Sequence, residues 1–172
     1  RAAVLELDES ITSEMAEPKG VEEVDFETVA SREAYFGAAR NESLGNGEPG
    51  AVGVQKLAIP EELTRGLIYL DGEWDIQPEF AENKNAQARI VLPYEAQKVF
   101  IVASSGDGVR LRILRDGVPV GVEAGKDVVN GVVTVKEDGL YRLVEDPKDS
   151  GQHVLEIIIE NPGLRAFAFT FG

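Results

Sequence analysis

A chain of 172 residues, 43% of them hydrophobic, can bury one sizeable core, and it contains no apolar run long enough to cross a bilayer as a helix. The net charge of −14 repels phosphate backbones and anionic lipid, which excludes nucleic acid and membrane surfaces as expected partners. Cysteine is absent, so neither thiol redox chemistry nor a disulfide framework can reside in this chain.

The first 30 residues carry nine acids against Arg1 and Lys19, which is half of the total charge. Val4, Leu7, Ile11 and Met15 recur at helical spacing, and Pro18 with Gly20 would end such a helix. Residues 1–30 are therefore expected to be an acidic linker with a short helix, and 31–172 a separate domain. The start on Arg1 rather than Met fits a segment of a longer protein. Residues 31–53 are rich in Gly, Asn and Ser without a clear period, and predict an ordered loop anchored by Tyr35 and Phe36.

From Leu57 short apolar stretches alternate with turn signals. The pattern predicts strands over 66–70, 73–81, 87–93, 98–104, 109–115, 131–136, 140–145, 152–160 and 165–171. The breaks are Asp71-Gly72, Ser105-Gly106-Asp107-Gly108, Asp116-Gly117 and Asp138-Gly139. No helix-length pattern lies between these strands, so the expectation is an all-β antiparallel sandwich or barrel.

Side chains alternate between the faces of a strand, so each segment also predicts an inside. Trp74, Ile76 and Phe80 should face the core, with Pro78 marking an edge or a bulge. Leu111 and Ile113 should point inward, and Arg110 and Arg112 outward. KVFIVAS at 98–104 is apolar on both faces, as in a strand covered on both sides. The chain ends on LRAFAFTFG, and strict alternation places Phe167, Phe169 and Phe171 on one buried face of a closing strand.

Catalytic constellations are weak. His153 is the only histidine and has no nucleophile motif beside it, so a structural role is expected. The carboxylate pairs Glu61-Glu62, Asp71 with Glu73 and Asp75, and Glu79 with Glu82 read as solvated faces. Asp107 or Asp127 could serve a structural calcium, but no EF-hand-like spacing supports one. The expectation is no catalytic residue, no metal site and no cofactor. The glycine-containing loops SSGDGVR and EAGKD read as tight turns, because SSGDG is followed by a strand, not a helix. Among aromatic platforms for a sugar, Trp74, Tyr69 and Tyr141 are weighed against the core, and Tyr94, following Pro93 at a strand end, is expected at a rim. The candidate ligand residues are Tyr94, Arg110 and Arg112. The arginines suit a carboxylate or an acidic partner, with ordinary surface pairing to nearby acids as the plainer alternative.

Motifs placed on these strands resemble a known family. SREAYFG (31–37), LDGEW (70–74), YEAQKVFIV (94–102), RDGVP (115–119), LYRLV (140–144) and the terminal FAFTFG occur in an order that resembles the C-terminal domain of DipZ-type proteins. Those are membrane-anchored, thioredoxin-like proteins linked to cytochrome c biogenesis. The sequence departs from the pattern at Arg32, where the family opening has proline. The resemblance implies a jelly-roll sandwich similar to carbohydrate-binding modules, an upstream thioredoxin-like domain and an extracytoplasmic location. It implies a non-catalytic accessory module whose partner is a carbohydrate or a protein, the parent's own thioredoxin-like domain included. The rival expectation is a docking domain with no small-molecule ligand.

Overall fold

A computed structural model describes residues 33–172, so the expected N-terminal helix and linker lie outside the described residues. Twelve strands and no helix occur among those described. In chain order they are β1 (Ala34–Tyr35), β2 (Gly53–Leu57), β3 (Tyr69–Ile76), β4 (Ala81–Asn83), β5 (Ala88–Glu95), β6 (Lys98–Ser104), β7 (Val109–Arg115), β8 (Val118–Pro119), β9 (Val132–Val135), β10 (Gly139–Glu145), β11 (Gln152–Ile159) and β12 (Arg165–Phe171).

All ladders between these strands are antiparallel, and they form one hydrogen-bonded path, β10-β6-β12-β4-β3-β5-β11-β7-β8. β1, β2 and β9 attach to β12, β3 and β7. The path curls into two layers because β3 belongs to both. Its first residues, Tyr69–Asp71, pair with β5, and its later residues pair with β2 and β4. The result is an all-β jelly-roll sandwich.

Gly72 makes that crossing possible. The Asp71-Gly72 step predicts a turn, but the chain stays in one strand there and bends. Gly72 has φ 109, a value L side chains rarely adopt, and an added Cβ would meet the Asn85 side chain at 2.8 Å. Positive φ can bend a strand as well as close a turn, so the glycine signal alone cannot separate the two. By contrast Asp116-Gly117 is a true two-residue hairpin turn between β7 and β8, with φ 55 and 82.

The core lies between the layers. Trp74, Ile76, Ile90, Leu92, Val99, Ile101, Leu111, Ile113, Leu155 and Ile157 are all fully buried in it. Trp74 donates its indole N–H to the Asp71 carbonyl at 3.0 Å, which satisfies the one polar group it brings inside. Phe36 joins the core and packs 5.2 Å from the Phe169 ring. Asn83, also wholly buried, donates to Asn85 O and Asn161 O and accepts from Leu164 N, so all that it buries is paired.

Two aromatic expectations are corrected. Phe169 and Phe171 are core residues, but Phe167 is not. A bulge between Ala166 and Ala168 inserts Phe167 as an extra residue opposite β6, which breaks the strict alternation. Phe80 likewise leaves the core face, since β3 ends at Ile76 and Pro78 sits in the turn before β4. Half-buried, Phe80 and Phe167 pack on each other at 5.4 Å instead.

Candidate functional site

β7 alternates inward Val109, Leu111 and Ile113 with outward Arg110 and Arg112, as expected. The arginines sit on the outer face of the layer formed by β5, β11, β7 and β9. Arg110 is in register with Thr134, and Arg112 with Val132 on one side and Ile158 on the other. Their side chains are 59% and 48% exposed. One carboxylate, Glu160, faces both: Arg110 Nη1 lies 3.6 Å from its Oε1 and Arg112 Nε 3.8 Å from its Oε2. Neither contact is a hydrogen bond.

Beside Arg110 lies an open cleft of about 440 Å³, lined by Arg110, Asp127, Val129, Asn130, Val132 and Thr134. Its far lip is a small hairpin. Val129 bridges Val132, and Asn130-Gly131 turns the chain with φ 53 and 77. An Asn-Gly pair is the strongest short-range signal for that turn, and it was legible in the sequence. The hairpin holds Val129 at 68% exposure. Asp127 Oδ2 accepts the Arg142 N–H at 2.7 Å and has the Arg142 guanidinium 3.9 Å away, which fixes this wall to β10.

Tyr94 is not with the arginines. It is fully buried, because β5 does not stop at Pro93 but runs to Glu95, and Tyr94 shares the inward parity of Ile90 and Leu92. The expected rim position is thus replaced by an interior one. Burial pushes its phenol up to about 12. The hydroxyl lies beside Arg115, but neither Oη nor Arg115 Nη1 reaches a partner in hydrogen-bond geometry. Arg115 also points inward and closes this end of the sandwich, with Asp146 at 3.2 Å and Glu123 at 3.7 Å.

His153 stands next to this cluster, its ring 6.0 Å from that of Tyr94. Nδ1 is 2.6 Å from Asp116 and Nε2 2.9 Å from Asp149. Desolvation would raise the Asp116 carboxyl, but the hydrogen bonds from His153 and the Val154 N–H outweigh it and hold the group below its usual value. Asp149 is held low by the Gly151 N–H and by His153. The clamp ties the β7–β8 turn to the 146–151 loop, and no hydroxyl nucleophile is among its partners.

The remaining candidates are engaged structurally. Tyr69 is 3% exposed and accepts the Thr64 N–H, and Tyr141 donates to Glu137 O. Asp71 and Glu156 flank one guanidinium, Arg89, at 3.1 and 2.9 Å. That arrangement joins β3, β5 and β11 across the outer face. No group of three or more His, Cys, Asp or Glu side chains that could hold a metal ion occurs among the described residues.

Comparison with known proteins bears on the fold and the family. An active-site mutant of a family two carbohydrate esterase from Clostridium thermocellum superposes with a TM-score of 0.51 at 18% identity, over 61% of this chain and 31% of that one. A family two carbohydrate esterase from Cellvibrio japonicus gives 0.48 at 16% identity, over 70% of this chain and 33% of that one. The chain therefore spans about a third of the length of these esterases, and the likeness to the Clostridium thermocellum enzyme is one of fold. No curated protein matches the sequence significantly. Residues 31–172, a span that takes in the whole sandwich, match the model of the thioredoxin-like C-terminal domain, and the chain belongs to that family.

Proposed function

We propose that this chain is a non-catalytic accessory module of a thioredoxin-like protein, which binds a carbohydrate and holds the redox domain near its targets outside the cytoplasm. The observation that carries the reading is the family match over the entire sandwich in a chain without cysteine. Any thiol chemistry of the parent must then lie elsewhere, and this domain's contribution is a surface. The jelly-roll likeness to a carbohydrate esterase supports a saccharide as ligand class. The surface in this reading is the outer face of β7 with the cleft beside Arg110.

The test is a glycan array with the purified 172-residue chain, run beside hydrolysis assays on glycosides and acetyl esters. Reproducible glycan binding without turnover is the expected result. Turnover that falls with a single carboxylate substitution would overturn the non-catalytic assignment. A second reading, a docking domain that packs on its own redox domain, is favoured by one observation: Trp74, Tyr69 and Tyr94 are all buried, so none is available as a stacking platform. An array without hits, together with association between the chain and the parent's thioredoxin-like domain, would select it.

A further inference from the structure

We infer that the cleft beside Arg110 takes an acidic saccharide, with a sugar carboxylate held by Arg110 and Arg112. The inference rests on the carbohydrate reading above and names the ligand class for the same surface.

Charge comes first. Arg110 and Arg112 face Glu160, and Asp127 in the cleft wall faces Arg142, so these named groups leave one positive charge in excess in a chain of net −14. A guanidinium offers five N–H donors. Arg89, Arg65 and Arg115 each donate to carboxylates at 3.2 Å or less. Among the described residues Arg110 and Arg112 make the two long contacts to Glu160, plus one of 3.5 Å from Arg112 to Gln87. Most of their donors meet no acceptor among the described residues. Being two apart on one strand, they stand about 7 Å from each other, a spacing from which both can reach one carboxylate.

The cleft supplies what a sugar needs besides charge. Asn130 and Thr134 offer both donors and acceptors to ring hydroxyls, and Asp127 offers an acceptor. Exposed Val129 with Val132 gives an aliphatic wall for the C–H face of a pyranose. The Asn130-Gly131 hairpin fixes this lip before any ligand arrives, which lowers the ordering cost of binding. Two other candidate places among the described residues lack this combination. In the second cleft, lined by Lys56, Leu57, Ala58, Gly72, Glu73 and Asn85, the Asn85 amide is already bonded to Glu73 N and Ala86 O. Both ring nitrogens of His153 are held by carboxylates.

The experiment is calorimetric titration of the 172-residue chain with three probes: an oligogalacturonate, a neutral cello-oligosaccharide of equal length and poly-glutamate. The expected result is binding of the oligogalacturonate that weakens at least about tenfold in Arg110→Ala and in Arg112→Ala, falls as salt rises, and also weakens in Asn130→Ala. Arg165→Ala, on the other layer, serves as the charge control and should bind as the parent does. Thermal melts establish that each variant is folded, and Arg110→Lys provides a milder substitution if Arg110→Ala is not. Neutral probe bound equally well, with no effect of the arginine variants, would overturn the acidic ligand and leave the carbohydrate reading standing. Poly-glutamate bound as tightly, with Asn130→Ala silent, would overturn it in favour of an acidic protein partner. No binding of any probe would sink both the inference and the reading beneath it.

Discussion

Replacing Phe169 by alanine removes a core ring from the last strand, beside Phe36 and Phe171. Phe169 is fully buried, lies opposite Ala34 and Ile101, and packs 5.2 Å from Phe36 and 6.5 Å from Phe171. An aromatic side chain hides about 150 Å² or more, which at about 25 cal/mol per Å² corresponds to about 4 kcal/mol. The surrounding β-ladders on both sides limit collapse into the cavity, so the expected loss is about 3–5 kcal/mol. The same substitution at Phe167, half-buried at the bulge against Phe80, should cost only about 1 kcal/mol. Urea denaturation of the two variants, fitted with a common slope, measures the difference. In melting temperature the Phe169 variant should fall by roughly 6–20 °C. If Phe167→Ala cost as much as Phe169→Ala, the bulge would be wrongly placed and strict alternation restored. If Phe169→Ala cost less than about 1 kcal/mol, the last strand would not seal the core.

Three further outcomes are expected. Tyr94→Phe removes a buried hydroxyl that has no hydrogen-bond partner, so stability should change by less than about 1 kcal/mol and glycan affinity less than twofold; a large affinity loss would return Tyr94 to the binding surface. Gly72→Ala puts a Cβ at φ 109 and 2.8 Å from Asn85, and should cost about 1–3 kcal/mol in a urea titration; a neutral result would deny the bend that carries β3 between layers. The Asp116 and Asp149 carboxyls are lower in the folded chain than in the unfolded one. Their contribution is therefore complete above the unfolded aspartate value of roughly 4 and is lost as pH falls through the lowered folded values. In His153→Gln, melting temperatures between pH 5 and 2 should fall less steeply than in the parent, and an unchanged slope would refute the clamp.

The legible parts of the fold are those where a period of two runs long enough between strong turn signals. β6, β7 and β12 have the expected bounds, and Arg110 and Arg112 face outward as alternation requires. β1 and β8, with two residues each, and β4, with three, are too short to show a period, and β2 starts at Gly53, where a stretch rich in turn residues ends. Single-residue events account for the rest. One bulged residue turned Phe167 out of the core, and one proline read as a strand end moved Tyr94 to a rim. Asn130 carries a strong Asn-Gly turn signal, but its relevance to the site depends on which strand the hairpin faces. That is a matter of tertiary placement, and nothing local to residues 125–131 encodes it.

The distribution of side chains between inside and outside also constrains what recognition this sandwich can perform. Trp74, Tyr94, Phe36, Phe100, Phe169 and Phe171 are its largest fully buried side chains. A domain that commits such rings to burial gains the apolar area its two layers need, but loses the flat faces on which neutral sugars commonly stack. Selectivity must then come from directed hydrogen bonds and charge. Those are the groups that β7 presents, since Arg110 and Arg112 point outward while Val109, Leu111 and Ile113 are buried. Charge-assisted contacts weaken with salt and depend on the ligand's own ionisation, whereas stacking does not. Salt dependence of glycan binding therefore separates the two modes on this fold, and its absence would argue that the arginine face is not where recognition occurs.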